Sequence, residues 1–359
     1  MTENNCRILV INPGSTSTKI AVFEGATLRC DKTLRHDESE IGRFASIPDQ
    51  KDFRMQAIME FLSGAGIPLS SLSAIVGRGG LLHPIEGGTY AVNEAMLRDL
   101  KTGLMGQHAS NLGGLLAHEL SAQCGAPAFI VDPVVVDELE PVARFSGLPE
   151  LPRVSIFHAL NHKAVARAAA KDLGGTYADF NFIVAHMGGG ISVAAHCRGR
   201  VIDVNNALNG EGPFSPERSG TLPVGALVKL CFSGTISQKD LEKRIVGKGG
   251  VMAYLGTNDM RKVSERIACG DAEAKAVYEA MAYRVAKEIG AMDVVLEGKV
   301  DAILLTGGLA YDQNFVGWIE RRVRHLAPVR VYPGEEEMTA LVGGGLRVLR
   351  GEEQPRIYE

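Results

Sequence analysis

The chain has 359 residues, 45% of them hydrophobic and 22% charged, and a net charge of −4. These values exclude a largely disordered chain, and the acidic balance argues against a nucleic-acid-binding surface. The length suffices for two domains, each with its own core. The 42 glycines exceed the usual share of about 7%, and their clustering favours tight turns and close backbone approach to a ligand.

The first half of the chain begins with a predicted β-meander and continues with alternating helices and strands. The predicted order is strand–turn–strand over 8–23, a strand at 27–35, a helix through 53–62, a strand at 74–76, a helix at 111–123 and a strand at 128–131. Alternation of this kind after a meander predicts α/β architecture with a mixed sheet.

The second half repeats this plan after a segment at 143–152, whose glycine and prolines indicate an inter-domain connection. The predicted order is a helix at 158–173, a meander that begins at 182, a helix at 272–296, a strand at 302–306 and a helix at about 335–349. We expect the last helix to return to the first domain. The predicted domains are 1–149 plus 336–359, and 150–335.

Cysteine usage and hydropathy predict the compartment. The six cysteines include no closely spaced pair, which excludes the usual zinc and redox motifs and indicates unpaired thiols in a reducing environment. No apolar run approaches the ~18 residues of a membrane span, and the polar residues 1–7 lead directly into the first strand. We therefore expect a cytoplasmic protein that binds neither a membrane nor nucleic acid.

The first strand–turn–strand unit, 8–23, has a faint echo at 182–195. Each consists of an apolar strand, a polar or glycine-rich turn and a second apolar strand. A gapless alignment pairs Gly14 with Gly188 and Asn12 with His186. Two such turns, one in each half, predict a duplicated fold that binds a nucleotide between its halves.

Both turns carry groups suited to phosphate, because hydroxyls, backbone amides and an ammonium can surround its oxygens. The candidates are Asn12, Gly14, Ser15, Ser17 and Lys19 in the first turn and His186, Gly188, Gly189 and Gly190 in the second. The first turn lacks the Walker pattern and is not a P-loop. The strand at 302–306 ends in Gly307-Gly308, a pair that lets a ribose or a base lie against the backbone.

Four further polar residues follow strands or lie near helix starts: Arg78, Asp132, His162 and Arg218. Arg78 is flanked by glycines, which suits bidentate recognition of a carboxylate or phosphate. Each residue also has a structural interpretation. Arg218 can form a surface salt bridge, His162 can pack within a helix, and Asp132 can form a turn before Pro133.

Motifs along the whole chain resemble those of the acetate kinase family, in the actin, Hsp70 and sugar kinase superfamily. The similar segments are N-P-G-S-T-S-T-K at 12–19, F-H-A-L-N-H-K-A-V at 157–165, E-R-S-G at 217–220, L-T-G-G-L-A at 305–310 and P-G-E-E-E-M at 333–338. The resemblance implies duplicated ribonuclease H-like (actin-like ATPase) domains with mixed sheets around a nucleotide cleft. It also implies a homo-oligomer.

The same resemblance implies phosphoryl transfer between MgATP and a short-chain carboxylate, giving ADP and an acyl phosphate. It implies that Arg78 binds the substrate carboxylate and that His162 and Arg218 stabilise the transferring phosphoryl group. His108 falls at a family histidine position. The implied magnesium residues are Asn12, Asp132 and Glu336, with Glu337 as an alternative because three glutamates follow one another.

Independent chemical reasoning agrees with this implied activity. Phosphoryl transfer requires mainly positioning and positive charge, which two arginines, a histidine and a magnesium ion supply. Because no serine or cysteine nucleophile with an adjacent base is evident, direct in-line transfer is the simpler mechanism.

The residues after Arg78 bear on the choice of acid. Acetate kinases carry bulkier residues where this chain has Gly79-Gly80, so we expect space for a longer acyl chain. One methylene changes affinity by only ~1–3 kcal/mol, so butyrate is favoured while acetate, propionate and isobutyrate stay open. An ATP-switched binding protein, like the actin and Hsp70 relatives, is the alternative from another class.

Overall fold

The computed structural model describes residues 6–359, which divide into two compact units. Unit 1 runs to Val136 and includes Glu336–Glu359, and unit 2 is Asp137–Glu335. The segment 143–152, predicted as a connection, lies within unit 2. The domain limits predicted from the sequence, with a boundary at 149/150, stay a prediction.

Each unit contains one mixed β-sheet. The strands of unit 1 are β1 Arg7–Pro13, β2 Ser17–Glu24, β3 Thr27–Arg35, β4 Ala74–Arg78, β5 Thr89–Ala91 and β6 Ala128–Val131. Those of unit 2 are β7 Asn181–Met187, β8 Ile191–Cys197, β9 Arg200–Val204, β10 Ala302–Gly307 and β11 Val329–Pro333. All the predicted strands are confirmed, while β5, β9 and β11 carry too little pattern to have been predicted individually.

Twelve α-helices are found in the described part of the chain. They are α1 Glu38–Ile41, α2 Lys51–Gly64, α3 Glu94–Thr102, α4 Asn111–Cys124, α5 Ala159–Asp172, α6 Val224–Cys231, α7 Gln238–Ile245, α8 Gly250–Leu255, α9 Met260–Ala268, α10 Ala272–Val295, α11 Gln313–Val323 and α12 Glu337–Leu349. The five predicted helices correspond to α2, α4, α5, α10 and α12.

Five strands of each sheet have the same order and directions, which confirms the predicted duplication, and β5 is an additional edge strand of unit 1. The strand orders are β3-β2-β1-β4-β6-β5 and β11-β10-β7-β8-β9. In unit 1 the meander β1–β2–β3 is antiparallel, and β4 and β6 continue in parallel beyond β1. In unit 2 the meander β7–β8–β9 is followed in the same way by β10 and β11. The turns β1–β2 and β7–β8 therefore occupy equivalent places.

Helices cover the central strands, which explains why those strands are continuously apolar. Ile8 to Ile11 of β1 are all fully buried, and α4 and α12 pack against β1 and β4. In unit 2, α10 presents Tyr278, Met281 and Val285 at helical spacing to the core beside β8. Parallel strands thus end at a common edge of each sheet, where side chains can converge.

Two other expectations concern the whole chain. All six cysteines are free thiols. Among residues 6–359, no helix is long and apolar enough to cross a membrane.

Candidate active site

The β1–β2 turn has the tight form that the sequence predicts. The Gly14 amide donates to the Ser17 carbonyl at 2.7 Å, while Ser15 is exposed at the tip. Asn12 and Lys19 are directly opposite in the antiparallel pair, so their side chains lie on the same face of the sheet. The predicted residues of this turn are therefore close together.

Arg54 of α2 is fully buried behind this turn and was not predicted. Its Nη1 donates to the carbonyls of Gly14 and Ser17 at 2.9 Å, and its Nη2 donates to that of Ser15 at 3.2 Å. Burial lowers the pKa of Arg54 to about 10, so the guanidinium stays charged at neutral pH. Because the carbonyls face this cation, the opposite side of the turn is left with its amides and hydroxyls, which suits an anion.

Arg78, at the end of β4, joins Asn12 and Glu337 in a polar cluster. Its Nη1 lies 2.7 Å from Glu337 Oε1 and donates to Asn12 Oδ1 at 3.2 Å. Asn12 Nδ2 donates to Glu337 Oε2 at 2.6 Å. Glu336, the residue predicted for magnesium, is instead exposed and has a left-handed backbone with φ of 38°. The structure therefore brings Glu337, the predicted alternative, into the cluster.

His108 and Asp132 lie near this cluster but in different environments. Partial desolvation, and then the Arg78 cation, lower the pKa of His108, whose Nδ1 lies 2.8 Å from Ser110 Oγ. Asp132 is buried directly after β6, and its Oδ1 accepts from the Gly88 amide at 2.7 Å. Its φ of 36° is unusual for a residue other than glycine and holds the carboxylate at the end of the strand.

Gly79 and Gly80 do not open a space for the acyl chain, and this part of the sequence interpretation is wrong. A Cβ on Gly80 would lie 2.5 Å from Asn111 Oδ1 and 2.7 Å from Leu100 Cδ2. One on Gly79 would lie 2.5 Å from Pro133 Cβ. Both glycines are required by close packing of β4 against its surroundings, and not by the size of a ligand.

In unit 2 the β7–β8 turn contacts the predicted arginine. Any side chain on Gly190 would overlap the Arg218 guanidinium, which therefore lies directly against the turn. Arg218 Nη1 donates to the Ala207 carbonyl at 2.7 Å, while its buried Nε has no hydrogen-bond partner among the described residues. Burial lowers the pKa of Arg218. The structure thus brings Arg218 together with Gly188, Gly189 and Gly190.

His186 lies beside the same turn in a network of polar side chains. Its Nδ1 is 2.8 Å from Asn161 Oδ1, and its Nε2 is 3.6 Å from Glu335 Oε1. Its ring stacks on that of His158 with centroids 3.8 Å apart. Since His158 is only half-buried, this pair places an imidazole at the edge of the turn.

The burial of His162 argues against a direct role with the phosphoryl group, and that assignment needs correction. The ring is fully buried; its Nδ1 lies 3.2 Å from His196 Nε2 and its Nε2 lies 2.8 Å from Ser192 Oγ. With both nitrogens bonded inside the protein, the ring has no atom for a substrate. His158, one helical turn earlier in the same motif, is the more accessible histidine.

An open cavity of about 430 Å³ lies within unit 2 beside these residues. Its lining includes Gly188, Gly189 and Gly308 together with the apolar Met260 and Leu309. Nothing lies within 4 Å of the Cβ position of Gly308, so the absence of a side chain leaves the cavity open. Gly307 differs, because its φ of 88° and its contact with the Met187 backbone require glycine.

Comparison with models of known families matches residues 153–341 to the acetate kinase model, described as the Acetokinase family. The match covers just over half of the 359 residues. The chain belongs to the acetokinase family. Members of this family phosphorylate carboxylates, so this protein is a phosphotransferase with a carboxyl group as acceptor.

Solved structures share the fold of this protein over nearly the whole chain. Acetate kinase from Porphyromonas gingivalis has a TM-score of 0.79 at 19% identity and covers 96% of this chain and 100% of its own. A propionate kinase from Francisella tularensis subsp. tularensis SCHU S4 has 0.72 at 21%, and acetate kinase from Entamoeba histolytica has 0.74 at 16%; each covers 94% of this chain and 98% of its own. The predicted fold class is confirmed.

Several residues of the candidate site carry little signal in the sequence. Arg54 lies in a helix that was predicted from its apolar residues, and only its position among those apolar residues could have indicated that it is buried. Ser192 and His196 belong to an ordinary buried strand, so only the tertiary structure brings them to His162. Glu335 is the first of three adjacent glutamates, and the sequence does not show which of the three contacts His186.

Proposed function

We propose that this protein transfers the γ-phosphoryl group of MgATP to butyrate, giving butyryl phosphate and ADP in a reversible, direct in-line reaction. The observation that carries the proposal is the glycine-lined cavity of unit 2, with Arg218 held against the adjacent turn. Phosphoryl transfer requires a cation fixed beside the transferring group, and a glycine-rich turn whose backbone lets the phosphate approach closely.

The cavity suits an adenine nucleotide in size and in lining. Its volume of about 430 Å³ lies in the range typical of small-molecule sites. Met260 and Leu309 offer apolar contact to a base, while Gly188 and Gly189 let phosphates approach the backbone. Gly308 leaves room for the ribose.

Arg218 and His158 are the groups we assign to the transferring phosphoryl group. Arg218 is always charged, and its guanidinium lies against the β7–β8 turn, where it can donate to an equatorial oxygen. His158 replaces His162 in this role because it is half-buried and stacks on His186 beside the turn. Together they supply the donors that stabilise the developing charge.

Arg78 is the proposed carboxylate ligand. Its guanidinium has five N–H donors in a planar fork, and the contacts to Glu337 and Asn12 involve Nη1 alone. The remaining donors suit a second carboxylate, and Glu337 and Asn12 fix the orientation of the fork. We propose that His108, which is close enough to feel the Arg78 charge, contacts the acyl phosphate.

The residues around Asn12 fit a magnesium ion bound mainly through phosphate and water. Glu337 and Asn12 offer a carboxylate and an amide oxygen, the hard ligands that Mg²⁺ prefers, and Asp132 can act through water. When bound, magnesium neutralises charge on the transferred phosphate.

The choice of butyrate rests on the motifs, which resemble those of butyrate kinases more than those of other members of the family. The glycines after Arg78 no longer support it, since they are packed. Acetate and propionate are therefore the second candidates, because the similar solved structures include an acetate kinase and a propionate kinase.

A hydroxamate assay of ATP-dependent acyl phosphate formation with acids of two to five carbons tests the proposal. We expect the highest kcat/KM for butyrate. A higher value for acetate or propionate would replace butyrate as the substrate, and no acyl phosphate with any acid would refute the activity itself.

Arg218→Ala tests the phosphoryl role separately. We expect kcat to fall at least about 100-fold, the scale of losing one charge-stabilising donor, with a much smaller change in nucleotide affinity. Near-normal turnover of this variant would exclude the assigned role.

A further inference from the structure

A chain of hydrogen-bonded side chains in unit 2 runs from Tyr177 to His158. Tyr177 Oη lies 2.6 Å from His196 Nδ1, and His196 Nε2 lies 3.2 Å from His162 Nδ1. Ser192 Oγ lies 2.8 Å from both His162 Nε2 and His158 Nδ1. Every successive pair is within hydrogen-bonding distance, so the chain is continuous over five side chains.

The burial of the three inner members constrains where the protons of this chain can lie. His162, His196 and Ser192 are fully buried, and burial lowers the pKa of both histidines well below the usual value. A neutral imidazole donates with one nitrogen and accepts with the other. The two histidines therefore give three of the four hydrogen bonds a common direction. The Ser192 hydroxyl has one proton and two acceptor sites, so when it accepts from His162 its buried proton is satisfied by donation to His158 Nδ1, and when it donates to His162 it accepts from His158.

Charges near Tyr177 favour the direction toward His158. Arg167 Cζ lies 5.8 Å from the centre of the Tyr177 ring, and Lys163 Nζ, whose charge is partly offset by its ion pair with Glu138 at 2.9 Å, lies 5.6 Å from it. Nearby cations make a phenol a stronger donor and a weaker acceptor, because they stabilise negative charge on its oxygen. Tyr177 then donates to His196, and the successive donations end at Nδ1 of His158.

We propose that Tyr177, His196, His162 and Ser192 are positioning residues that hold His158 as the tautomer with its proton on Nε2. His158 then offers an N–H donor without needing a positive charge. This inference deepens the proposed function, because the donor is assigned to the phosphoryl group. The buried histidines act only through His158 and touch no substrate.

Nitrogen-15 NMR of histidine-labelled protein tests the tautomer without any assay of activity. His158→Gln identifies the signals of His158, since protonated and unprotonated ring nitrogens have well-separated shifts. We expect a protonated Nε2 in the wild-type protein and a growing share of protonated Nδ1 in Tyr177→Phe. A protonated Nδ1 in the wild type, or unchanged His158 signals in Tyr177→Phe, would overturn the proposal.

A double-mutant cycle tests the effect on catalysis. Tyr177→Phe and Ser192→Ala should each lower kcat about fivefold to tenfold, the scale of one hydrogen bond, with KM values nearly unchanged. Because Ser192→Ala already interrupts the chain, the double variant should be no slower than Ser192→Ala alone. Additive losses would refute the chain, as would an equal loss in Tyr332→Phe, whose hydroxyl bonds Asp172 at 2.8 Å outside it.

Thermal unfolding of each variant separates a positioning role from a merely structural one. If Ser192→Ala does not fold, Tyr177→Phe alone decides, because its half-buried ring is retained and only the hydroxyl is removed. A loss of kcat that follows the fall in Tm with unchanged tautomers would overturn the proposal. If the wild-type protein forms no acyl phosphate, the proposed function fails, and the NMR result still decides the tautomer.

Discussion

Replacement of Gly80 by alanine should destabilise unit 1 and should not select between acids. The added Cβ would lie 2.5 Å from Asn111 Oδ1, 2.6 Å from Asn111 Cα and 2.7 Å from Leu100 Cδ2, where ordinary contacts are about 3.4 Å or longer. Since Asn111 begins α4 and its backbone must shift, we expect a cost of about 1–3 kcal/mol. For a unit of this size that lowers Tm by roughly 3–10 °C.

Gly64→Ala is the matched control, because it lies at the end of α2 in the same unit and its Cβ would meet nothing within 4 Å. It should leave Tm unchanged or raise it slightly, since alanine favours a helix over glycine by about 0.5–1 kcal/mol. Thermal unfolding followed by circular dichroism measures both variants, and the hydroxamate assay compares butyrate with acetate. A Gly80→Ala protein with wild-type Tm and a reduced preference for butyrate would refute the packing argument and restore the open pocket.

Three further predictions address the remaining site residues. Glu337→Gln should raise the Mg²⁺ requirement at least about tenfold, while Glu336→Gln, its exposed neighbour, should change it less than about twofold; the reverse ranking would reassign the metal residue. Arg54→Met should lower Tm and raise KM for ATP, because the carbonyls of Gly14 and Ser15 lose the donor that Arg54 supplies, at about 1–3 kcal/mol each; unchanged values would exclude its role behind the turn. The lowered pKa values of His162 and His196 mean that the unfolded chain binds protons that the folded unit excludes, so stability should fall below about pH 6.5 by up to ~1.4 kcal/mol per histidine and pH unit. Urea unfolding between pH 7.5 and 5.5 measures this slope, and a flat profile would contradict it.

The fold was largely predictable because its signals are local. β3, at Thr27–Arg35, and α4, from Asn111 to Cys124, follow directly from alternating and helical patterns in a few residues. The exposed helices between residues 224 and 268 carry weak or polar patterns and were not predicted. Pattern therefore gives the central strands of the two sheets and misses three edge strands, β5, β9 and β11, together with the helices at the periphery.

The site was less predictable because it depends on which side of an element each residue faces. His158 and His162 are one turn apart on the same motif, yet one is half-buried and the other fully buried. Glu336 and Glu337 are adjacent, and only the start of α12 separates an exposed carboxylate from one paired with Arg78. A motif locates such a group to within a few residues, and tertiary packing decides which member reaches the ligand.

The duplicated fold shows that the glycine pair after Arg78 has an equivalent in unit 2. Ile11 pairs with Gly77 in unit 1 and Ala185 pairs with Leu305 in unit 2. With Ile11 and Ala185 equivalent, the glycine pairs 79–80 and 307–308 occupy the same position after corresponding strands. Packing fills the Cβ positions of the first pair, whereas Gly308 opens on the nucleotide-sized cavity. The same local sequence therefore serves close packing in one unit and ligand access in the other. If Arg78 binds the acid as proposed, other side chains around its guanidinium set the preference, because the Cβ positions of the two glycines are filled.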